Sequence, residues 1–399
     1  MIGPCDCSTR WRTRGTIWRH TLAEVTHEKS WTPQGPGKGW FAVSPVKLGL
    51  VGCGGIAQIQ HLPSLMSLQE EFEVVAVCDL SAKLAKHVAG EFHVPLAVTD
   101  VRDLLAADVD AVLLCPADPK TDLAVTVLEA GKHLLVEKPL CYSLQEADRI
   151  IAATPPGTVA QMAYMKVFDP AFEAAQREVV DMEDVTFVQV NHLHTENRQH
   201  LEQFRLKRFD DFPPEAGRRM GEARQAAVDE ALGDVSAEAK RAFFILANSM
   251  IHDLYGLRLM LGRPEAVVNT EIWPDGSSIT FVLAYPGGCR CVASWVDLPD
   301  VWAFRETLEV YASDRRVLLT YPTGFARGIL SEVTIHGIDG DGTSFAKQPA
   351  IEWESPFRRE LRHFHDCIVN GAACRSSVAE ARHDIALIID IIKAYTNRA

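Results

Sequence analysis

Gly52, Gly54 and Ala57 follow directly on one apolar run, and an acid, Asp79, closes the next. That spacing suits a pyrophosphate: the first glycine permits a tight turn, the second lets main chain approach the phosphates, and the small third residue lets a helix pack against a strand. Gly55 and Ile56 open that helix, whose unpaired N–H groups and positive dipole end face an anion. A carboxylate placed as Asp79 is accepts hydrogen bonds from the hydroxyls of an adenine-linked ribose. It also repels a 2′-phosphate, and no arginine follows at once to offset it, so NAD is expected in preference to NADP. The second chemical candidate is Lys138, in Glu137-Lys138-Pro139 at the end of another apolar run. Ligands of an open parallel sheet bind beyond the carboxyl ends of its strands. Cys115, Pro116, Glu137 and Lys138 are therefore expected to face the cofactor crevice, with Lys138 placed to act on substrate.

Alternating strands and helices must position these groups. Val46 to Val51 and Val74 to Cys78 read as strands buried on both faces. Ser81 caps a helix through Lys83 to Ala89 that Gly90 ends. Ala111 to Cys115 is a strand stopped by Pro116, Thr121 to Ala130 a helix closed by Gly131, and His133 to Val136 a further strand. Tyr164 and Lys166 follow the sixth strand and are candidate substrate contacts near the crevice. His192 and His194 alternate on one strand face, where they could meet a substrate hydroxyl or a metal. No third ligand stands at a telling spacing, so they are assigned to substrate and no metal is expected.

Composition bounds the function classes. A chain of 399 residues with 47% hydrophobic content suits two or three globular domains, and a formal net charge of -13 argues against general nucleic-acid binding. No apolar run reaches transmembrane length. The ten cysteines are scattered, several of them (Cys53, Cys78, Cys115) in apolar contexts, and read as free thiols of a reducing cytoplasm. Cys5/Cys7 and Cys289/Cys291 lack the spacing of zinc sites. Residues 1–45 hold four of the eight tryptophans without periodicity, and seven Lys/Arg up to Lys47 face three acids. They read as an N-terminal extension, a disordered tail or over-extended start ahead of an arm packed on the body or a neighbouring subunit. Residues 196–242 form a charged insertion in which Arg198, Arg205, Lys207, Arg208, Arg218, Arg219 and Arg224 stand out in an acidic chain. It is read as a solvated helix in preference to an anion site, and it stands where a lid or pocket wall could form.

Gly52-x-Gly54-x-x-Ala57, the run EAGKHLLVEKPL from Glu129 to Leu140, QMAYMKVFDPAFEAA, and FRRELRHFHDCIVNG from Phe357 together resemble the glucose-fructose oxidoreductase / inositol dehydrogenase / MocA family. The resemblance runs from about Lys47 to the C-terminus, the insertion excluded. It implies an α/β chain with a Rossmann doubly wound parallel sheet over residues 46–165. An α/β domain on a large, mostly antiparallel sheet, over residues 166–399, would bind substrate and carry oligomer contacts. The second half agrees independently. Ser278 to Tyr285 alternates, Pro286-Gly287-Gly288 turns, Arg290 to Trp295 returns, and Glu306 to Ala312 pairs with Arg315 to Tyr321. Family members cover such a sheet by dimerising, so a homodimer or homotetramer is expected.

The resemblance further implies hydride transfer between a nicotinamide cofactor and a sugar, cyclitol or related polyol. Such chemistry needs a group that takes the hydroxyl proton. Lys138 is one candidate and His252 the other. The run from Ile245 to Leu254 is similar to the family's active-site helix, where an acid stands four residues before the histidine and on its face. Here that position is Asn248, which can hold a hydroxyl but cannot accept a proton. Two rival readings are a cofactor-binding regulator without net turnover and a reductase of an imine or pyrrole-type bond.

Overall fold

The computed structural model describes residues 44–397. The extension expected over residues 1–45 therefore falls, up to residue 43, outside the described residues. From Val46 the chain alternates β1 (Val46–Val51), α1 (Leu62–Met66), β2 (Phe72–Cys78), α2 (Ala82–Glu91), β3 (Leu96–Val98), α3 (Val101–Leu105), β4 (Ala111–Leu114), α4 (Thr121–Glu129), β5 (His133–Glu137), α5 (Leu144–Ala152) and β6 (Ala160–Ala163). The six strands form one parallel sheet in the order β3-β2-β1-β4-β5-β6, reversing at the β1/β4 boundary. Both faces are covered, which is why these strands read as continuous apolar runs. Leu48, Leu50, Val77, Leu113 and Leu135 pack into one core, and Val51, Ala76, Val112, Leu134 and Val136 into the other.

The helix after the glycine turn is not the plain α-helix expected. Its first part, Ala57–His61, is a π turn in which the N–H of Leu62 bonds to the carbonyl of Ala57. Pro63 follows within the same helix, lacks an N–H and would clash with the carbonyl four residues back; the widened turn relieves that conflict. Gly90 does not end α2 either. The helix runs to Glu91, and the left-handed position falls on His93, with φ 55°, while the N–H of Val94 closes back on the carbonyl of Ala89. Ser81 caps α2 as expected, its hydroxyl accepting from the N–H of Leu84.

α6 (Pro170–Val180) leads to β7 (Phe187–His194). The insertion then forms α7 (Asn197–Leu201), α8 (Pro214–Leu232) and α9 (Ala237–Ile245), and α10 (Ile251–Leu261) follows. β8 (Ala266–Trp273), β9 (Ser278–Ala284), β10 (Arg290–Asp297), β11 (Arg305–Tyr311), β12 (Arg315–Tyr321), β13 (Glu332–Ile338) and β14 (Ser344–Lys347) complete the second sheet, before α11 (Pro356–Val369) and α12 (Val378–Thr396). Its order is β14-β13-β12-β11-β7-β10-β9-β8, antiparallel except for the β7/β10 pair. One face of β7, β10 and β11 carries Val190, Ala293 and Leu308 into the core together with His192 and Glu306. Charged groups on an otherwise apolar face mark where the second sheet meets the site. Among the described residues no helix is long and apolar enough to cross a membrane.

Candidate functional site

The glycine turn is built as its residue types require. Gly52 has φ +88°, its N–H donates to the carbonyl of Cys78 at 2.8 Å, and a Cβ there would stand 2.5 Å from the nitrogen of Pro116. A Cβ on Gly54 would meet nothing within 4 Å, so that side of the turn is open to a phosphate. Ala57 is fully buried against the sheet. Asp79 accepts from the N–H of Cys53 at 2.8 Å and from the N–H of Ser81 at 2.9 Å, which fixes its carboxylate between the turn and the start of α2. A crevice of about 950 Å³ opens at the strand ends, walled by Gly54, Gly55, Ile56, Cys115, Pro116, Glu137 and Lys138 on one side. Leu206, Arg208 and Arg224 of the insertion close the other side. The open glycine backbone and the size of the crevice fit a dinucleotide, whose phosphates Gly54, Gly55 and Ile56 would cradle.

A second cavity of about 290 Å³ adjoins the first and shares Ile56, Glu137, Lys138, Asn248 and Phe325 with it. Lys138 donates from Nζ to the carbonyl of Asn248 at 2.6 Å. Asn248 lies in a second π turn, Leu246–Met250, and its amide donates to the carbonyl of Phe244 at 2.8 Å. His252 pairs through Nδ1 with the Tyr255 hydroxyl at 2.6 Å, which leaves Nε2 for the cavity that the residue lines. Glu137 is held behind Lys138 by His61 at 2.7 Å. Burial opposes its charge, but the His61 hydrogen bond and the Lys138 ammonium outweigh burial and keep its pKa below the ordinary value. Burial lowers the pKa of Lys138, with Lys120 and Lys166 pushing the same way against Glu137 and Asp118. Burial, then the charges of Lys138 and Lys166, push His252 well below its ordinary value. His252 and Lys138, both with pKa values lowered by burial, thus face one cavity.

The floor of the cavity is a charged network. Lys166 is ion-paired with Glu306, both buried, and sits 4.6 Å from the ring centre of Tyr321. His192 Nδ1 meets Asp253 at 3.2 Å and lies 3.8 Å from Glu306, while its Nε2 is 3.4 Å from both Ser249 Oγ and His194 Nδ1. Burial opposes both carboxylates. His192 and Lys166 still hold Asp253 below its ordinary range, whereas Glu306 is pushed up. His194 stacks on Trp295 and is pushed down to about 4 by burial and by His192.

Lys138, Lys166, His192, His194, Asn248 and His252 thus line one cavity. Tyr164 does not. It is fully buried and stacked on Tyr255 at 3.9 Å, because a short 3-10 turn, Met165–Phe168, follows it at once and turns Lys166, not Tyr164, toward the cavity. No third ligand stands near His192 and His194 in the sequence, yet the fold brings Asp253 and Glu306 to His192 from other elements. Lys166 already meets the charge of that trio. Glu306 and Asp253 were missed, although each is an acid within an apolar stretch. The insertion's arginines divide: Arg218 pairs with Glu215 and Glu222 and Arg198 with Glu196, while Arg208 and Arg224 face the crevice.

The sequence pattern of the "Oxidoreductase family, NAD-binding Rossmann fold" (Gfo/Idh/MocA) matches residues 46–162, the stretch that forms the parallel sheet and the turn. Over these residues the chain matches the Gfo/Idh/MocA oxidoreductase family. Over 138 residues it is 29% identical to a 4-carboxy-2-hydroxymuconate-6-semialdehyde dehydrogenase of Sphingobium sp., covering 34% of this chain and 43% of that one. Over 144 residues it is 33% identical to an inositol 2-dehydrogenase/D-chiro-inositol 3-dehydrogenase of Shouchella clausii, covering 34% and 41%. The chain thus spans about two fifths of the length of the curated relatives it matches. The likeness in fold runs further. A 3-ketoreductase from Actinomadura kijaniata, solved with NADP and TDP-benzene, superposes with a TM-score of 0.66 over 88% of this chain and 98% of that one at 19% identity. Both halves of the chain therefore follow an architecture seen in a solved protein.

Proposed function

We propose that this chain is a dehydrogenase or reductase that moves a hydride between NAD and a sugar, cyclitol or related polyol. The observation that carries the reading is the junction at Lys138, where the dinucleotide-sized crevice and the small polar cavity share five residues. Nicotinamide, when bound, supplies or accepts the hydride. The chain's own groups handle the proton: His252 Nε2 takes it from the carbinol, Lys138 holds or relays it, and Asn248 orients the hydroxyl by hydrogen bonds alone. Lys166, His192 and His194 offer a ring of polar atoms suited to several hydroxyls, and a cavity of about 290 Å³ suits a single ring. The inositol dehydrogenase and the ketoreductase among the similar proteins support the substrate class.

Asp79 supports NAD over NADP, as its carboxylate would meet a 2′-phosphate with like charge. A homo-oligomer is supported by the second sheet, whose helices α6, α9 and α12 pack on it while the half-buried polar residues Gln189, Asn191, Thr280 and Ser294 sit on the strand face opposite the core. The eight free cysteines among the described residues support a reducing compartment. The test is to mix the purified protein and NAD with a panel of cyclitols, hexoses and sugar acids. The expected result is growth of the reduced-nicotinamide absorbance with one class and little with NADP. Silence across the panel from protein that binds NAD would favour the regulator, to which Asn248 in place of an acid already points.

A further inference from the structure

The nine residues Phe204 to Phe212, between α7 and α8, cross the mouth of the nucleotide site. Their path is fixed at two points. The Gln58 side chain, from the helix after the glycine turn, donates to the carbonyl of Lys207 at 3.1 Å and accepts from its N–H at 3.0 Å. Further on, Asp211 accepts from the Ser81 hydroxyl and from the N–H of Lys83 at 2.9 Å, and Asp210 accepts from Lys83 Nζ at 3.0 Å. Ser81 in turn donates its own N–H to Asp79. Asp79, Ser81, Asp211, Lys83 and Asp210 are thus linked in that order by single hydrogen bonds into one cluster beyond the end of β2.

This is where a dinucleotide cofactor declares its type. The acid at the end of β2 takes the ribose hydroxyls, and the residues just after it flank whatever the 2′ position carries. A 2′-phosphate needs hydroxyl, N–H and ammonium donors in this place to replace its water. The chain has such a set in the Ser81 hydroxyl, the Lys83 N–H and the Lys83 ammonium, and all three are engaged by Asp210 and Asp211. Hydrogen bonds from Ser81 and from Lys83 hold the carboxyls of Asp211 and Asp210, respectively, below their ordinary range, so both are ionised at neutral pH. We infer that Asp210 and Asp211, supplied by the insertion, are cofactor-specificity residues: they occupy the donors a 2′-phosphate would use and exclude NADP. The inference rests on the dinucleotide reading of the crevice and extends it, because the discrimination comes from outside the βαβ unit and acts together with Asp79.

The experiment measures NAD and NADP dissociation constants for the full chain by calorimetry, comparing wild type with Asp210→Ala/Asp211→Ala. Wild type should bind NAD and bind NADP far more weakly. The double variant should bind NADP roughly tenfold tighter or better than wild type, with NAD affinity changed by no more than about threefold. Lys83→Gln added to the double variant should take most of that gain back. Should the double variant not fold, Asp210→Ala alone, which frees only the Lys83 ammonium, should still give a smaller gain. NAD binding with an unchanged NADP constant in the variants would overturn the inference and leave the dinucleotide reading standing. If neither nucleotide binds wild type or variants, the reading beneath it fails as well.

Discussion

Lys138→Ala and His252→Ala are each expected to lower turnover by about 10²–10⁴-fold while NAD binding stays within severalfold of wild type, because each removes a proton-handling group and leaves the glycine turn intact. The two losses should not add. Both side chains face one cavity and serve one proton transfer, so the double variant should fall little below the worse single one. The pH profile carries the same reasoning. Burial and two neighbouring ammonium groups keep His252 neutral through the range in which an ordinary histidine titrates. The oxidation rate should therefore show no break near pH ~6.5, the ordinary histidine value, and decline only in stronger acid. His252→Ala should abolish that acid-side decline. A wild-type break at the ordinary histidine value would mean that the proton acceptor sits in a more exposed place.

Gly52→Ala should damage both fold and binding. Its Cβ would stand 2.5 Å from the Pro116 nitrogen and 2.8 Å from the Cys115 carbonyl carbon, main-chain atoms that cannot rotate away, and the backbone there has φ +88°. The ends of β1 and β4 would have to part, at a cost of about 2–3 kcal/mol in stability and a loss of roughly tenfold or more in NAD affinity. Gly54→Ala is the informative contrast. Its methyl meets open space, so thermal stability should hold near wild type while NAD affinity falls, because the methyl takes up the side on which the phosphates approach. Equal stability losses in the two variants would contradict the division of labour between the glycines.

The parts of the site that were legible in the sequence are those whose cause is local. The run into Gly52, the open Gly54, the buried Ala57 and Lys138 at the end of β5 each follow from a few neighbouring residues, and the Gfo/Idh/MocA resemblance rests on the same stretches. Long-range partners were not legible. Glu306 reaches Lys166 from 140 residues away, Asp253 reaches His192 from 61, and Asp211 reaches Ser81 from 130. Alternation in β11 marks Glu306 as facing inward with Leu308 and Val310, yet names no partner. Tyr164 was misplaced because its direction depends on the 3-10 turn after β6. The two π turns were missed because each departs from the α-helical period by a single residue. Asn248 remains the residue on which the proposed proton transfer most depends, since its main-chain carbonyl accepts from Lys138 and its side chain holds no charge.

The most direct measurement of the central claim uses the polyol that the panel selects, deuterated at the carbon that is oxidised. The reduced cofactor is isolated after reaction with NAD. Transfer across the junction at Lys138 predicts one deuterium at C4 of the nicotinamide, on one face only, with the yield collapsing in Lys138→Ala. Reduced cofactor without deuterium, or label spread over both faces, would contradict direct transfer between a bound cofactor and a substrate held in this cavity.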